Sequence, residues 1–121
     1  MADLGAGAGA AGFAVASRLP DAEVVLVERS PDMAEFARKS LALAENAPFS
    51  SRIAVLETDV TLTGRARFAA GLGDYSFHHV IMNPPFNDAS DRRTPDILKA
   101  EAHAMTENLF AISRSYQNVH G

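Results

Sequence analysis

The sequence contains no cysteine among its 121 residues. This absence excludes disulfides, thiolate metal ligands and cysteine nucleophiles, and it fits a reducing compartment. The chain also has no apolar run that could cross a bilayer, because the alanine- and glycine-rich stretch at residues 5–16 is too short and too rich in glycine. We therefore predict a cytoplasmic protein with no membrane partner.

Positive charge is scarce as well. The chain has 11 lysines and arginines against 15 aspartates and glutamates, a formal net charge of −4. Proteins that grip nucleic acid unaided are more often basic, so the charge counts against a free-standing RNA-binding domain. With 47% hydrophobic and 21% charged residues, the composition is that of an ordinary globular protein with one small core.

Strand-like and helix-like patterns alternate along the chain, which predicts an α/β fold with a mostly parallel sheet. We expect four strands, at residues 1–4, 23–28, 53–57 and 78–82, and helices at residues 10–18, 31–45 and 95–113, with a helix or loop at 61–73. The first strand is short and only a brief tail follows the last helix. The pattern therefore predicts one partial domain over residues 1–121, with a sheet cut short at both ends.

A glycine-rich turn follows the first strand, where the sequence reads D-L-G-A-G-A-G from Asp3 to Gly9. Alternating glycines suit a turn that needs positive φ and close approach to a ligand. Residues 7–12 also match the dinucleotide fingerprint G-x-G-x-x-G, and Glu28 lies roughly 20 residues further on. NAD is therefore an alternative ligand. The register argues against NAD, because the strand should enter that fingerprint at its first glycine, whereas here Asp3-Leu4-Gly5 comes first.

The fourth predicted strand runs into Asn83-Pro84-Pro85-Phe86. The two prolines fix φ and remove two N–H donors, which favours a rigid, extended loop. Ligands of open parallel sheets bind at the carboxyl ends of strands, and this tetrapeptide stands at such an end. We therefore expect it to contribute to a binding or catalytic site.

The Asp-x-Gly-x-Gly-x-Gly pattern resembles motif I of class I S-adenosylmethionine (SAM)-dependent methyltransferases. The resemblance implies a Rossmann-like fold with SAM as the cofactor. In that family the glycine loop holds the methionine part, the acidic residue ending the second strand binds the ribose, and the end of the third strand contacts the adenine ring. The cofactor-binding residues that it implies are Asp3, Gly5, Gly7, Gly9, Glu28 and Asp59.

The tetrapeptide is similar to motif IV, [Asp/Asn/Ser]-Pro-Pro-[aromatic], of methyltransferases that modify a planar amino nitrogen. The resemblance implies that Asn83, Pro84, Pro85 and Phe86 are catalytic. The lone pair of such a nitrogen is delocalised, so the nitrogen is a poor nucleophile. Hydrogen bonds to the Asn83 side-chain oxygen and the Pro84 carbonyl would tilt it toward the methyl donor, and Phe86 would stack on the flat group.

Adenine, guanine and the glutamine side chain all present such an amino group. The stretch from Ile81 to Met105 is similar to the bacterial family that methylates adenine N6 in valine tRNA, which implies a tRNA substrate. Arg92 and Arg93 are candidate phosphate contacts or a solvated pair. The pattern contains no metal-ligand cluster and leaves the oligomeric state open. An NAD-binding oxidoreductase and an inactive SAM-binding remnant remain alternatives.

Overall fold

The computed structural model describes residues 1–62, 64–74, 76–82 and 95–114, apart from the side chain of Leu98. Four strands and five α-helices lie in these ranges. The strands are β1 (Ala2–Leu4), β2 (Val24–Glu28), β3 (Ile53–Glu57) and β4 (Val80–Met82). The helices are α1 (Ala10–Arg18), α2 (Pro31–Leu41), α3 (Ala47–Ser50), α4 (Gly64–Ala69) and α5 (Pro95–Ile112), and a 3₁₀ turn (Ala44–Asn46) precedes α3.

The four strands form one parallel sheet in the order β3-β2-β1-β4. The predicted parallel α/β architecture is therefore confirmed. The chain moves outward from β1 to β3 and then returns to the other side of β1, so the direction of winding reverses between β1 and β4. Such a reversal opens a crevice at the carboxyl ends of the two strands, which is where open α/β sheets bind their ligands.

Each face of the sheet carries its own apolar core, because side chains alternate between the faces along a strand. Helix α5 covers the face formed by Ala2, Leu4 and Val27, to which it contributes Met105 and Ile112. On the other face, α1 and α2 cover the alternate positions of the strands. That second core contains Ala16, Val24, Leu26, Ala37 and Ile53.

Helix α2 begins as its sequence predicts, with Ser30 as the N-cap and Pro31 in the first turn. It ends at Leu41 rather than at residue 45, and the Asn46 side chain caps its last turn by donating to the Ser40 carbonyl at 2.6 Å. The helical period of α2 predicts that Met33 and Phe36 lie on its buried face, but this prediction is wrong, since they are 40% and 59% exposed.

Small residues explain why the buried face of α2 differs from the expected one. Ala34 and Ala37, three positions apart, are buried and allow the helix to lie close to the sheet. The larger side chains of α2 are thereby turned away from the sheet. The helical period of α5 predicts a buried face that includes Ile97, Met105 and Ile112. Burial of Met105 and Ile112 is confirmed, whereas Ile97 is 49% exposed.

Within the residues that the structure describes, none of the helices is both long and apolar enough to span a membrane. The same residues contain no group of three or more histidine, aspartate or glutamate side chains that could hold a metal ion.

Candidate functional site

The glycine turn after β1 adopts the conformation that its composition predicts. Gly5, Gly7 and Gly9 have φ values of 73°, 58° and 95°, in the left-handed region that disfavours every other residue type. The carbonyl of Val27 on β2 accepts hydrogen bonds from the N–H groups of Gly5 and Ala6 at 2.9 and 3.0 Å. The turn is therefore fastened to the neighbouring strand, and α1 begins directly after it.

Two glycines of this region serve the packing of α1 against β2. A Cβ atom on Gly9 would lie 2.8 Å from Leu26 Cδ1, and one on Gly12 would lie 2.4 Å from Leu26 Cδ2 and 3.1 Å from Val24 Cγ1. Only glycine allows the helix to come this close. Gly12 is thus explained by close helix–strand packing, without any need for a dinucleotide ligand.

Glu28, the last residue of β2, is buried and connects the glycine turn to α2. Its Oε1 atom accepts a hydrogen bond from Gly7 N–H at 2.9 Å, and its Oε2 atom accepts one from Ser30 N–H at 2.8 Å. Each carboxylate oxygen has a second acceptor position. The geometry therefore allows Glu28 to support the turn and to accept hydroxyl donors from a ligand at the same time.

Asp3, in the middle of β1, lies beneath the start of α1. Its side chain is 2% exposed, and its Oδ2 atom has no partner within the described part of the chain. Burial raises the pKa of Asp3 to about 6, a hydrogen bond from the Gly12 backbone opposes the rise, and the nearby charge of Glu28 adds to it. Because the N-cap Gly9 has no side chain, Asp3 supplies the carboxylate that the first turn of α1 would otherwise lack.

Asp59 follows β3 at the same edge of the sheet. Its Oδ1 atom accepts hydrogen bonds from the Thr61 N–H at 2.8 Å and the Thr61 hydroxyl at 2.7 Å. Burial raises the pKa of Asp59, but these two bonds and the charge of Arg29 outweigh burial, so the pKa lies below its usual value. Asp59 is therefore an ionised acceptor close to the end of β2.

The proposed catalytic tetrapeptide, Asn83 to Phe86, lies outside the described residues. The strand that leads into it is described: β4 pairs with β1 so that Met82 stands beside Leu4 in the parallel register. Leu4 is followed in the chain by the glycine turn. The carboxyl ends of the strands that precede the two sequence motifs are therefore neighbours.

The structure adds two contacts at this edge that the sequence did not reveal. Arg29, directly after Glu28, forms an ion pair with Glu101 of α5 at 3.4 Å. Asn108 of α5 is 4% exposed and bonds to the loop that follows Asp59. The one sequence signal for Asn108 was its position on the apolar face of α5, between Met105 and Ile112.

The comparison with known families agrees with this geometry. Residues 1–111 match the sequence profile of the methyltransferase small domain. The chain belongs to that family. The glycine turn and the parallel Rossmann-like sheet are features that the chain shares with SAM-dependent methyltransferases of this family.

Several relatives illustrate the range of the family. The chain is 32% identical over 89 residues to the release factor glutamine methyltransferase of Escherichia coli, covering 74% of this chain and 28% of that protein. It is 33% identical over 88 residues to the tRNA1(Val) (adenine(37)-N6)-methyltransferase of Porphyromonas gingivalis, covering 73% of this chain and 32% of that protein.

A solved structure is more similar. It is that of a predicted O-methyltransferase from Agrobacterium tumefaciens, with 55% sequence identity, a TM-score of 0.77, and coverage of 93% of this chain and 48% of that one. The chain thus spans about a third of the length of its curated relatives and about half of this structural relative.

The described residues fit SAM. The turn presents bare backbone to which a ligand could come close, and among the described residues a Cβ on Gly7 would meet only the terminal methyl of Met33, at 3.6 Å. The first N–H groups of α1 have no acceptor inside the helix. Glu28 retains acceptor capacity for hydroxyls, and ionised Asp59 can accept from an amino group. These groups occupy one edge of the sheet, as a nucleoside-containing ligand requires.

Proposed function

We propose that this chain is the cofactor-binding part of a SAM-dependent methyltransferase that modifies the exocyclic amino nitrogen of adenine in RNA, with tRNA as the substrate. The observation that carries the proposal is the pairing of Leu4 with Met82. It brings together the strand ends that precede the glycine turn and the Asn83-Pro84-Pro85-Phe86 motif. A methyl donor held at the turn and an amino group held at the motif would then be neighbours.

The residues divide the work between donor and acceptor. SAM supplies an electrophilic methyl group when bound. Gly5, Gly7 and Gly9 would hold its methionine part, Glu28 its ribose hydroxyls and Asp59 its adenine, while Asp3 would keep the turn and α1 in place.

At the acceptor, the amide oxygen of Asn83 and the carbonyl of Pro84 would each accept one N–H of the target amino group. This arrangement suits nitrogen because two hydrogens must be held while the lone pair points at the donor. Pro85 would stiffen the loop, and Phe86 would stack on the base, a contact worth about 1–3 kcal/mol. Orientation then contributes several further kcal/mol, as usual when two reactants are held in register.

The similarity of the segment from Ile81 to Met105 to adenine-N6 methyltransferases of valine tRNA favours adenine. A glutamine side chain in a protein is the second candidate, favoured by the identity to release factor glutamine methyltransferase. Its planar amide presents the same pair of N–H donors as the adenine amino group. Guanine N2 presents them as well, so the acceptor is decided by experiment.

The test is transfer of a labelled methyl group from SAM to total tRNA, to release factor protein and to small hydroxyl acceptors, followed by identification of the modified residue. We expect label in RNA as N6-methyladenine. Asn83→Ala should lower the rate at least a hundredfold. Asn83→Asp, which keeps an oxygen acceptor, should retain a measurable fraction. The exposed α5 variant Glu107→Gln is the matched control and should behave as wild type.

Three outcomes would contradict the proposal. Label found in protein or on oxygen would change the acceptor, and an Asn83→Ala rate equal to wild type would remove the role of the motif. Calorimetric binding of NAD without binding of SAM would overturn the methyltransferase assignment and favour the oxidoreductase alternative. Absence of both binding and transfer would identify an inactive remnant.

A further inference from the structure

The loop that carries Asp59 is held in place by helix α5. The Nδ2 atom of Asn108 donates two hydrogen bonds, to the carbonyl of Val60 at 2.6 Å and to that of Leu62 at 2.7 Å. A side-chain amide nitrogen has two hydrogens, so both are used. Asn108 is almost fully buried, and removal of its amide would leave these two carbonyls without those donors.

The residue between the two carbonyls is Thr61, whose N–H and hydroxyl both bind the Asp59 carboxylate. Asn108 therefore fixes the backbone on either side of the residue that orients Asp59. Both Thr61 bonds end on Oδ1, and within the described residues Oδ2 of Asp59 is left to accept from a ligand. A shift of either carbonyl would turn the Thr61 donors and, with them, the Asp59 carboxylate.

We propose that Asn108 is a positioning residue of the cofactor pocket, which holds the loop at residues 59–62 so that Asp59 recognises the adenine amino group of SAM. The inference rests on the proposed function, because it assumes a SAM pocket at this edge of the sheet. It adds a residue on α5 that belongs to neither motif. Glu101, two turns earlier on α5, pairs with Arg29, so α5 contacts the segments after both β2 and β3.

Binding of S-adenosylhomocysteine, the demethylated cofactor, tests the inference without any acceptor substrate. Titration calorimetry compares wild type with Asn108→Ala and with Asn108→Asp, which keeps the shape of the side chain but loses both donors. Circular dichroism at the titration temperature verifies folding. If Asn108→Ala is unfolded, the comparison uses Asn108→Asp alone. The control is Thr106→Ala, which removes an exposed hydroxyl from the same helix.

We expect the Asn108 variants to bind S-adenosylhomocysteine about tenfold more weakly than wild type, and Thr106→Ala to bind it unchanged. Wild type should prefer S-adenosylhomocysteine over S-inosylhomocysteine, whose base has a carbonyl in place of the amino group. The Asn108 variants should lose most of that preference. General destabilisation would weaken the binding of both ligands alike and leave the ratio of their affinities unchanged.

A double-mutant cycle with Asp59→Ala locates the effect. If Asn108 acts through Asp59, its substitution should change affinity less than twofold in the Asp59→Ala background. Any one of three results overturns the inference. They are unchanged affinity in the Asn108 variants, an unchanged preference between the two ligands, and a full tenfold effect of Asn108 substitution in the Asp59→Ala background. If wild type does not bind S-adenosylhomocysteine, the proposed function is overturned, and the inference with it. If the protein methylates glutamine rather than adenine, the inference still holds.

Discussion

Replacement of Asp3 by asparagine should change the pH dependence of stability in a direction unusual for a carboxyl group. Folding raises the pKa of Asp3 from 3.8 to about 6, chiefly because the side chain is buried. The native state therefore binds the proton more tightly than the unfolded state between these pH values. Stability must consequently fall as pH rises from about 4 to about 6, and the loss is complete above that range.

The size of the effect follows from the same pKa values. One pKa unit corresponds to about 1.4 kcal/mol, so a change from 3.8 to about 6 costs on the order of 3 kcal/mol at pH 7. Asparagine cannot ionise, yet its oxygen can still accept the hydrogen bond from Gly12. The free energy of unfolding of Asp3→Asn relative to wild type should thus rise by about 2–3 kcal/mol between pH 4 and pH 7.

Urea unfolding at pH 4, 5, 6, 7 and 8 measures this difference. The control is Asp21→Asn, at an exposed aspartate of the loop after α1, which should show no such trend. Subtracting wild-type values at each pH removes the contribution of all other titrating groups. A difference between Asp3→Asn and wild type that stays flat over this range, or that falls with pH, would refute the reasoning.

Three further predictions concern Gly12, Arg52 and Glu28. Gly12→Ala should lower the free energy of unfolding in urea by about 1–3 kcal/mol, because its Cβ would lie 2.4 Å from Leu26 Cδ2. A change near zero would contradict the close packing of α1. Arg52→Met should lower the free energy of unfolding by about 2 kcal/mol, because the guanidinium donates to the carbonyls of residues 16, 19 and 22. The control is Arg18→Met, at an exposed arginine of α1. Glu28→Gln should bind S-adenosylhomocysteine about tenfold more weakly. Its free energy of unfolding should fall by about 1–2 kcal/mol, since one amide oxygen cannot accept from both Gly7 and Ser30. Calorimetry that finds wild-type affinity would exclude Glu28 from the pocket.

The elements that the sequence predicted best are those with strong local signals. The bounds of α1 and β3 agree residue for residue with expectation, because a glycine turn, an alanine-rich stretch and a short apolar run act over a few positions. The glycine conformations were predictable for the same reason, since alternating glycines have few other uses. The position of Glu28 at the end of β2 was predictable, but its bonds to Gly7 and Ser30 were not.

What could not be predicted depends on contacts between distant parts of the chain. The helical period of α2 allows two faces to be buried, and the small side chains of Ala34 and Ala37 select the one that lies nearest the sheet. The larger Phe36, which hydrophobicity alone would place inside, is exposed instead. Asn108 is a polar residue on an apolar face, and only the tertiary structure supplies the two carbonyls that explain it.

The buried charge of Asp3 becomes intelligible when the turn is considered as a pre-organised binding element. An unpaired carboxylate oxygen in a core costs stability, and a fold selected for stability alone would favour a neutral residue there. The same carboxylate holds the start of α1 through Gly12, while Glu28 and Val27 hold the turn from the side of β2. A turn fastened on both sides loses little conformational entropy when a ligand binds. If the turn binds SAM as we propose, the stability lost at Asp3 is the expected counterpart of affinity gained at the turn.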